Sequence, residues 1–111
     1  MSKQLGKISH VKFGIGGYQD CCLGIFFSFS FDGTGCNSDK SAWDKNRIKH
    51  TAHSKWSEDD RSKQYAEIMR YVSDLLSDAK VESVDKLKGV PIEAEFDGMK
   101  LVSWRILKEV L

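Results

Sequence analysis

The sequence predicts an α+β fold, in which one long amphipathic helix packs on one face of a small antiparallel sheet with the element order β-β-loop-α-β-β. Three observations carry this prediction. Apolar residues alternate along residues 23–31, recur at spacings of three and four along residues 57–79, and flank Asp97-Gly98 in two short runs. These patterns are typical of a strand with one buried face, of a helix with one apolar stripe and of a hairpin turn.

The first hairpin is predicted from residues 7–14 and 22–31, which are joined by a glycine-rich turn. Glycine suits such a turn because a positive φ or a bulge leaves no room for a Cβ atom. The apolar residues that share one face of the two strands are Val11, Phe13, Ile15, Leu23, Ile25, Phe27, Phe29 and Phe31. Residues 1–6 are expected to be a frayed polar lead-in, and residues 32–35 to form the turn that ends the second strand.

The helix predicted over residues 57–79 begins with a serine and an acidic first turn. Ser57 is a favoured N-cap residue, and the acidic residues 58–60 suit the positive end of the helix dipole. Arg61 is assigned to the solvent-exposed face of this helix. The apolar stripe consists of Tyr65, Ile68, Met69, Val72, Leu75, Leu76 and Ala79.

The C-terminal part is predicted to contain a short helical turn and a second hairpin. The helical turn covers residues 81–87 and ends at Gly89. The hairpin arms are residues 91–96 and 99–107, because Asp97-Gly98 between them is a strong hairpin signal. The alternation of apolar residues indicates which face of the first arm is buried. In the second arm the pattern does not distinguish the buried face from the exposed one.

The intervening segment, residues 36–56, is mostly polar and has no clear period. It is therefore predicted to be a loop of functional importance or high mobility, with a short strand around residues 42–48. It is also the one locally basic part of the chain, with Lys45, Arg47, Lys49 and Lys55.

The bulk properties set the class of protein. A chain of 111 residues is expected to form a single domain spanning residues 1–111. Its net charge of +1 argues against a dedicated nucleic-acid binder. No apolar run reaches the roughly 18 residues that span a membrane, and the N-terminus lacks the apolar core of a signal peptide, so a cytoplasmic protein is expected.

Candidate binding residues lie in the glycine-rich turn and in the loop. The turn is a candidate because its glycines let a ligand approach the backbone closely, and the loop because it combines basic residues with tryptophan, which is enriched in binding hot spots. These residues are Tyr18, Gln19, Asp20, Trp43, Arg47, His50, His53 and Trp56. No catalytic residue, metal ion or cofactor is predicted.

The cysteines and histidines suggest two further hypotheses, a zinc site and a reactive thiol. Cys21, Cys22 and Cys36 with His50 and His53 are residue types that bind zinc, but their spacing matches no zinc finger. Cys36 beside one of the histidines would be the arrangement of a thiol nucleophile. Reduced thiols that act as small apolar side chains are the favoured interpretation.

Several stretches resemble a family of small uncharacterised proteins carried by bacteriophages and prophages. They are VKFGIGGYQD at residues 11–20, LKGVPIE at 87–93, FDG at 96–98 and WRILKEVL at 104–111, and the helix start WSEDDR at 56–61 is also similar. The likeness covers most of the chain except residues 37–54. The resemblance implies a small non-structural phage product in the bacterial host cytoplasm, and it supplies no activity and no catalytic residue.

The first hypothesis for function is a non-enzymatic binding protein of phage origin. It would occupy a host protein, for example as an inhibitor of a bacterial defence system, or sequester a small signalling ligand. In this case Trp43→Ala would abolish partner binding and leave the fold intact. The alternatives are a nucleic-acid-associated protein that uses residues 45–55 and a zinc- or thiol-dependent enzyme. A homodimer through the free edge of the second strand is also open.

Overall fold

The computed structural model describes all 111 residues as a five-stranded antiparallel sheet with one α-helix packed against it. The order of the strands in the sheet is β3-β2-β1-β4-β5. The strands are β1 (Ser2–Gly16), β2 (Cys22–Phe31), β3 (Thr34–Trp43), β4 (Pro91–Asp97) and β5 (Lys100–Ile106), and the helix is α1 (Glu58–Ala79). Short 3-10 turns occupy Tyr18–Asp20, Val84–Leu87 and Lys108–Val110. The predicted fold class is confirmed, with one additional strand.

The additional strand, β3, lies within the segment that was predicted to be a turn and a loop. It pairs along its whole length with β2, from Phe31↔Thr34 to Cys22↔Trp43. Both the predicted turn at residues 32–35 and the short strand at residues 42–48 are therefore wrong in their bounds. The side chains of β3 that face the core side are small or polar, so its sequence lacks an apolar alternation; they are Cys36, Ser38, Lys40 and Ala42.

The N-terminal residues are also ordered, in contrast to the predicted frayed lead-in. Residues 2–7 pair with β4, from Ser2↔Phe96 to Lys7↔Pro91. Most of their side chains remain exposed, and even Leu5 is 64% exposed. The backbone hydrogen bonds of the sheet order this segment, and such bonds leave no pattern in the side chains.

A β-bulge in β1 brings two apolar residues with odd spacing onto the same face. Ile8 pairs with Phe29 but His10 pairs with Ser28, so Ser9 is the extra residue. Ile8 is fully buried, and Val11 packs against the same core. The Ser9 hydroxyl donates to the Ser28 carbonyl at 3.0 Å, which satisfies that polar side chain.

The sheet curls around the core, so that β5 packs against β2 although β1 and β4 lie between these two strands in the sheet. The Trp104 ring of β5 lies 5.0 Å from the Phe27 ring and 4.7 Å from the Phe29 ring of β2, centroid to centroid. Trp104 pairs with Ala94 and Ile106 pairs with Ile92, which settles that these residues of β5 face inward. The buried cluster contains Ile8, Ile25, Phe27, Phe29, Leu75, Ala79, Leu87, Val90, Ile92 and Ile106.

The start of α1 is fixed by a capping box between Ser57 and Asp60. The Asp60 amide donates to Ser57 Oγ at 3.1 Å, and the Ser57 amide donates to Asp60 Oδ2 at 2.8 Å. The hydrogen bonds that Ser57 makes to the Asp60 carboxyl, first of all from its backbone amide, lower the pKa of that carboxyl. The predicted N-cap is confirmed. Arg61, however, is only 3% exposed, so its assignment to the solvent face is wrong.

Two general expectations are affected by this architecture. β2 lies between β3 and β1, so the free edge that was expected on the second strand does not exist. None of the helices combines the length and the apolar character needed to cross a membrane.

Candidate functional site

The turn between β1 and β2 holds three residues with a positive φ among the four from Gly17 to Asp20. Gly17 has φ of 74°, and the non-glycine residues Gln19 and Asp20 have φ of 51° and 55°. Left-handed backbone is unfavourable for residues with a Cβ atom, and such strain is found preferentially at functional sites. Tyr18, which is 70% exposed, stands at the start of this turn.

The glycines of the turn accommodate side chains of the chain itself. A Cβ atom on Gly16 would lie 3.1 Å from the Phe26 ring, and one on Gly17 would lie 3.1 Å from Cys22 Cβ and Sγ. Phe26 and Cys22 therefore use the space that the sequence suggested for a ligand close to the backbone. What the turn offers to a partner is its exposed side chains.

The turn is joined directly to the end of β3 and to the loop that follows it. The Asp44 amide donates to the Cys21 carbonyl at 2.9 Å, next to the strand pair Cys22↔Trp43. Residues 17–21 and residues 44–57 thus lie at one end of the sheet. We refer to these two segments together as the loop end.

Asp44 is 5% exposed and organises the first part of the loop. Its backbone carbonyl accepts from the amides of Arg47 and Ile48 at 3.1 and 2.9 Å. Its carboxylate Oδ2 accepts from the Asn46 amide at 3.1 Å and pairs with Arg47 Nη1 at 3.4 Å. Arg47 is therefore already bound within the loop.

Arg61 holds the second part of the loop from the first turn of α1. Its Nη2 donates to the Ile48 carbonyl at 2.6 Å and lies 3.2 Å from the Glu58 carboxylate. The guanidinium carbon lies 4.5 Å from the centroid of the Trp56 ring, and that ring meets His50 edge-to-face at 5.5 Å. The buried Nε atom of Arg61 has no hydrogen-bond partner.

Tyr65 fixes the junction between β3 and the loop. Its hydroxyl donates to the Trp43 carbonyl at 3.1 Å and accepts from the Lys45 amide at 3.0 Å. Tyr65 lies one helical turn after Arg61, so both side chains point to the same side of α1. Helix and loop are thus connected at two successive turns.

The structure brings most of the sequence-predicted residues to the loop end, although in different roles. Tyr18, Gln19 and Asp20 are exposed there, whereas Trp43 is half-buried. Arg47 pairs with Asp44, and His50 packs on Trp56. His53 is exposed, and its amide donates to Thr51 Oγ1 at 3.3 Å.

Three residues that organise the loop end were not selected from the sequence, namely Asp44, Arg61 and Tyr65. Arg61 stands four residues before Tyr65 and seven before Ile68, which places it on the apolar stripe of the helix. A charged residue on that stripe was the available signal for a buried cation.

The Cys36 thiol lies apart from His50 and His53. Cys36 is near the start of β3, opposite Phe29 and against the core, whereas the histidines follow the end of that strand. Burial raises the pKa of the Cys36 thiol, which opposes the thiolate form. The pairing of Cys36 with His50 or His53 is therefore wrong. No group of three or more His, Cys, Asp or Glu side chains is arranged to hold a metal ion.

Comparisons with protein-family models, with curated proteins and with solved structures find no match to this chain. The functional argument accordingly rests on the residues of the loop end and of the sheet.

Proposed function

We propose that this chain is a non-enzymatic binding protein of phage origin that occupies a host protein through its loop end. The observation that carries the proposal is the buried guanidinium of Arg61, which contacts the loop at the Ile48 carbonyl and at the Trp56 ring. A loop that is fixed before binding loses little conformational entropy when a partner docks. Little of the binding free energy is therefore offset by ordering the loop. Binding residues are commonly found on loops that a rigid scaffold positions in this way.

The exposed chemistry of the loop end favours a protein surface with acidic groups. Lys45, Lys49 and Lys55 are exposed and form no ion pair. Tyr18 adds a large exposed aromatic ring at the same end of the sheet, and tyrosine is enriched in binding hot spots. The combination of an exposed aromatic ring and unpaired cations is complementary to an acidic patch.

The resemblance to small phage proteins supports a bacterial host as the source of this partner. A host factor or a component of a bacterial defence system is the kind of target that a small non-structural phage product would inhibit. Sequestration of a small signalling ligand is less well supported, because Phe26 and Cys22 use the space beside the glycines.

An affinity capture from bacterial lysate with matched variants tests the proposal. The wild-type chain and Met99→Ala, which alters a residue that is 99% exposed in the β4–β5 turn, are expected to retain the same host protein in stoichiometric amount. Tyr18→Ala and the double variant Lys45→Glu/Lys49→Glu are expected to lose it while keeping the wild-type circular-dichroism spectrum. Equal retention by all four proteins, or no retained protein at all, would contradict the proposal.

A nucleic-acid-associated function is the second candidate, since three unpaired lysines lie within residues 45–55. The Trp56 ring, however, packs on Arg61 and His50, which leaves it poorly placed to stack on a base. A mobility-shift titration at two salt concentrations distinguishes this function, because phosphate contacts must weaken as salt rises. No shift at low salt would eliminate it.

A further inference from the structure

The C-terminal half of β1, residues 9–16, has a hydrogen-bonded strand on one side only. β4 pairs with residues 2–7, and Ile8 makes the last bonds on that side, from its amide to the Val90 carbonyl at 3.0 Å and from the Gly89 amide to its carbonyl at 2.7 Å. Beyond Ile8, β1 pairs with β2 alone. Such an edge presents unpaired backbone groups that can accept another strand.

An apolar groove lies beside this free edge, between the sheet and α1. It has a volume of about 270 Å³ and is lined only by Phe13, Leu23, Tyr65, Ile68 and Met69. Phe13 is 44% exposed and Met69 is 62% exposed, so two large apolar side chains meet solvent next to the unpaired backbone. The free edge and the groove form one continuous surface.

We propose that a second copy of this chain pairs with this edge, in an antiparallel arrangement about a two-fold axis at Phe13. In that register Phe13 faces the partner's Phe13, and Val11 faces the partner's Ile15. All three apolar residues on the helix side of the edge then meet apolar partners. A strand pair of this kind is isologous, because the same residues contribute from both copies.

In the same register each basic side chain of the edge faces a glycine of the partner. Lys12 faces the partner's Gly14, and His10 faces the partner's Gly16, so no like charges stand opposite each other. The space above Gly14 is open, since a Cβ atom there would meet only Lys12 Cε, at 4.0 Å. Moving the axis to Lys12 would place two lysines face to face, which is unfavourable. The edge of a second copy thus places apolar residues opposite apolar residues, and small residues opposite basic ones.

The pairing would join the two sheets into one and cover the exposed parts of Phe13 and Met69. It would also place the two glycine-rich turns at opposite ends of the paired segment, because His10 is opposite the partner's Gly16. The dimer and the proposed host partner are tested separately, because one experiment measures the mass of the chain and the other the capture of a host protein.

A charge-exchange experiment tests the register, since residue 13 faces itself across the axis. The wild-type chain is expected to sediment with the mass of two chains. Phe13→Lys and Phe13→Glu are each expected to sediment as monomers, because two like charges would meet at the axis. An equimolar mixture of the two variants is expected to restore the dimer mass. The control Met99→Lys, in the β4–β5 turn, should remain dimeric.

Three outcomes would overturn the proposal: a monomeric wild-type chain at every concentration, dimers of either Phe13 variant alone, or a monomeric mixture of two variants that each keep the wild-type circular-dichroism spectrum. If a variant does not fold, amide hydrogen exchange of the wild-type chain decides the matter. Amides within residues 10–16 are expected to lose protection on dilution, and concentration-independent exchange there would exclude the interface.

Discussion

The guanidinium of Arg61 lies 4.5 Å from the centroid of the Trp56 ring, in a position where Arg61 is only 3% exposed. This contact joins the first turn of α1 to the last part of the loop that precedes it. A buried cation requires hydrogen bonds and favourable neighbours to offset its lost hydration. Arg61 obtains them from the Ile48 carbonyl, the Glu58 carboxylate and the Trp56 ring. Because Ile48 and Trp56 belong to the loop, the contacts that stabilise Arg61 also order the loop.

The first prediction is that Arg61→Ala destabilises the chain by about 2–3 kcal/mol, because it removes a charge-assisted hydrogen bond and leaves a void beneath Trp56. Urea denaturation measures this loss. The loop should also become more accessible, so trypsin should cleave after Lys45 and Lys49 faster than in the wild-type chain.

Arg70→Ala is the matched control, since Arg70 lies on the exposed side of the same helix and forms no ion pair. Its effect on stability should stay within about 0.5 kcal/mol. If Arg61→Ala and Arg70→Ala gave the same unfolding midpoint and the same cleavage rate, Arg61 would have no role in ordering the loop.

The second prediction concerns the Tyr65 hydroxyl, which connects two backbone groups at the end of β3. Tyr65→Phe leaves the Trp43 carbonyl and the Lys45 amide without this partner, and we expect a loss of about 1–2 kcal/mol in the free energy of unfolding. Tyr18→Phe serves as the control, because Tyr18 is 70% exposed and solvent replaces its bonds. Equal losses for the two variants would argue against a specific role of Tyr65.

The parts of the fold that the sequence predicted are those in which burial and local pattern coincide. Ile25, Phe27 and Phe29 alternate because they fill the core from one strand, so β2 was visible as a pattern. Ser57 was identified because capping is a local interaction. β3 was missed because it is an edge strand whose core-side residues, such as Ser38 and Lys40, contribute little apolar surface. Its order derives from pairing with β2, which is a non-local property.

The same distinction explains the candidate site. Tyr18 was selected because it follows the glycines of the turn, and Trp56 because it is an aromatic residue in a polar, basic segment. The contacts that position them could not be inferred, because Arg61 and Asp44 act on residues that only the folded chain brings close. The Cys21–Asp44 backbone bond is the clearest case, since it depends on the register of β2 and β3.

The third prediction is a pH dependence that originates at Glu109. Arg105 donates to both carboxylate oxygens at 2.9 and 2.7 Å, and these bonds lower the pKa of Glu109 to about 2. Because the pKa is lower in the folded chain than the 4.5 of an unperturbed glutamate, the contribution to stability is fully present above about pH 4.5 and is lost as the pH falls towards 2. Glu109→Gln should therefore melt at a lower temperature than the wild-type chain at neutral pH.

The difference in melting temperature between Glu109→Gln and the wild-type chain should shrink below about pH 4.5 and disappear below about pH 2. It should also shrink in high salt, because the pair is exposed and its attraction is screened. Glu82→Gln, at an exposed residue without an ion pair, is the control and should follow the wild-type curve. A difference that is constant with pH would show that the Arg105–Glu109 pair does not stabilise the folded chain.

The fourth prediction compares two glycines that face each other across β1 and β2, Gly14 and Gly24. A Cβ atom on Gly24 would overlap the Lys40 carbonyl oxygen and lie 2.6 Å from Ser41 Cα, and both are backbone atoms of β3. Gly24→Ala should therefore force β3 away from β2 and cost about 2–3 kcal/mol or more in urea denaturation.

At Gly14 the same methyl group enters open space, and neither glycine has a positive φ. Gly14→Ala should thus be neutral or stabilise the chain by about 0.5 kcal/mol, because alanine restricts the unfolded state. Similar losses at both positions would mean that β3 is not packed against β2 at Gly24, and the pairing that links β3 to the loop end would have to be revised.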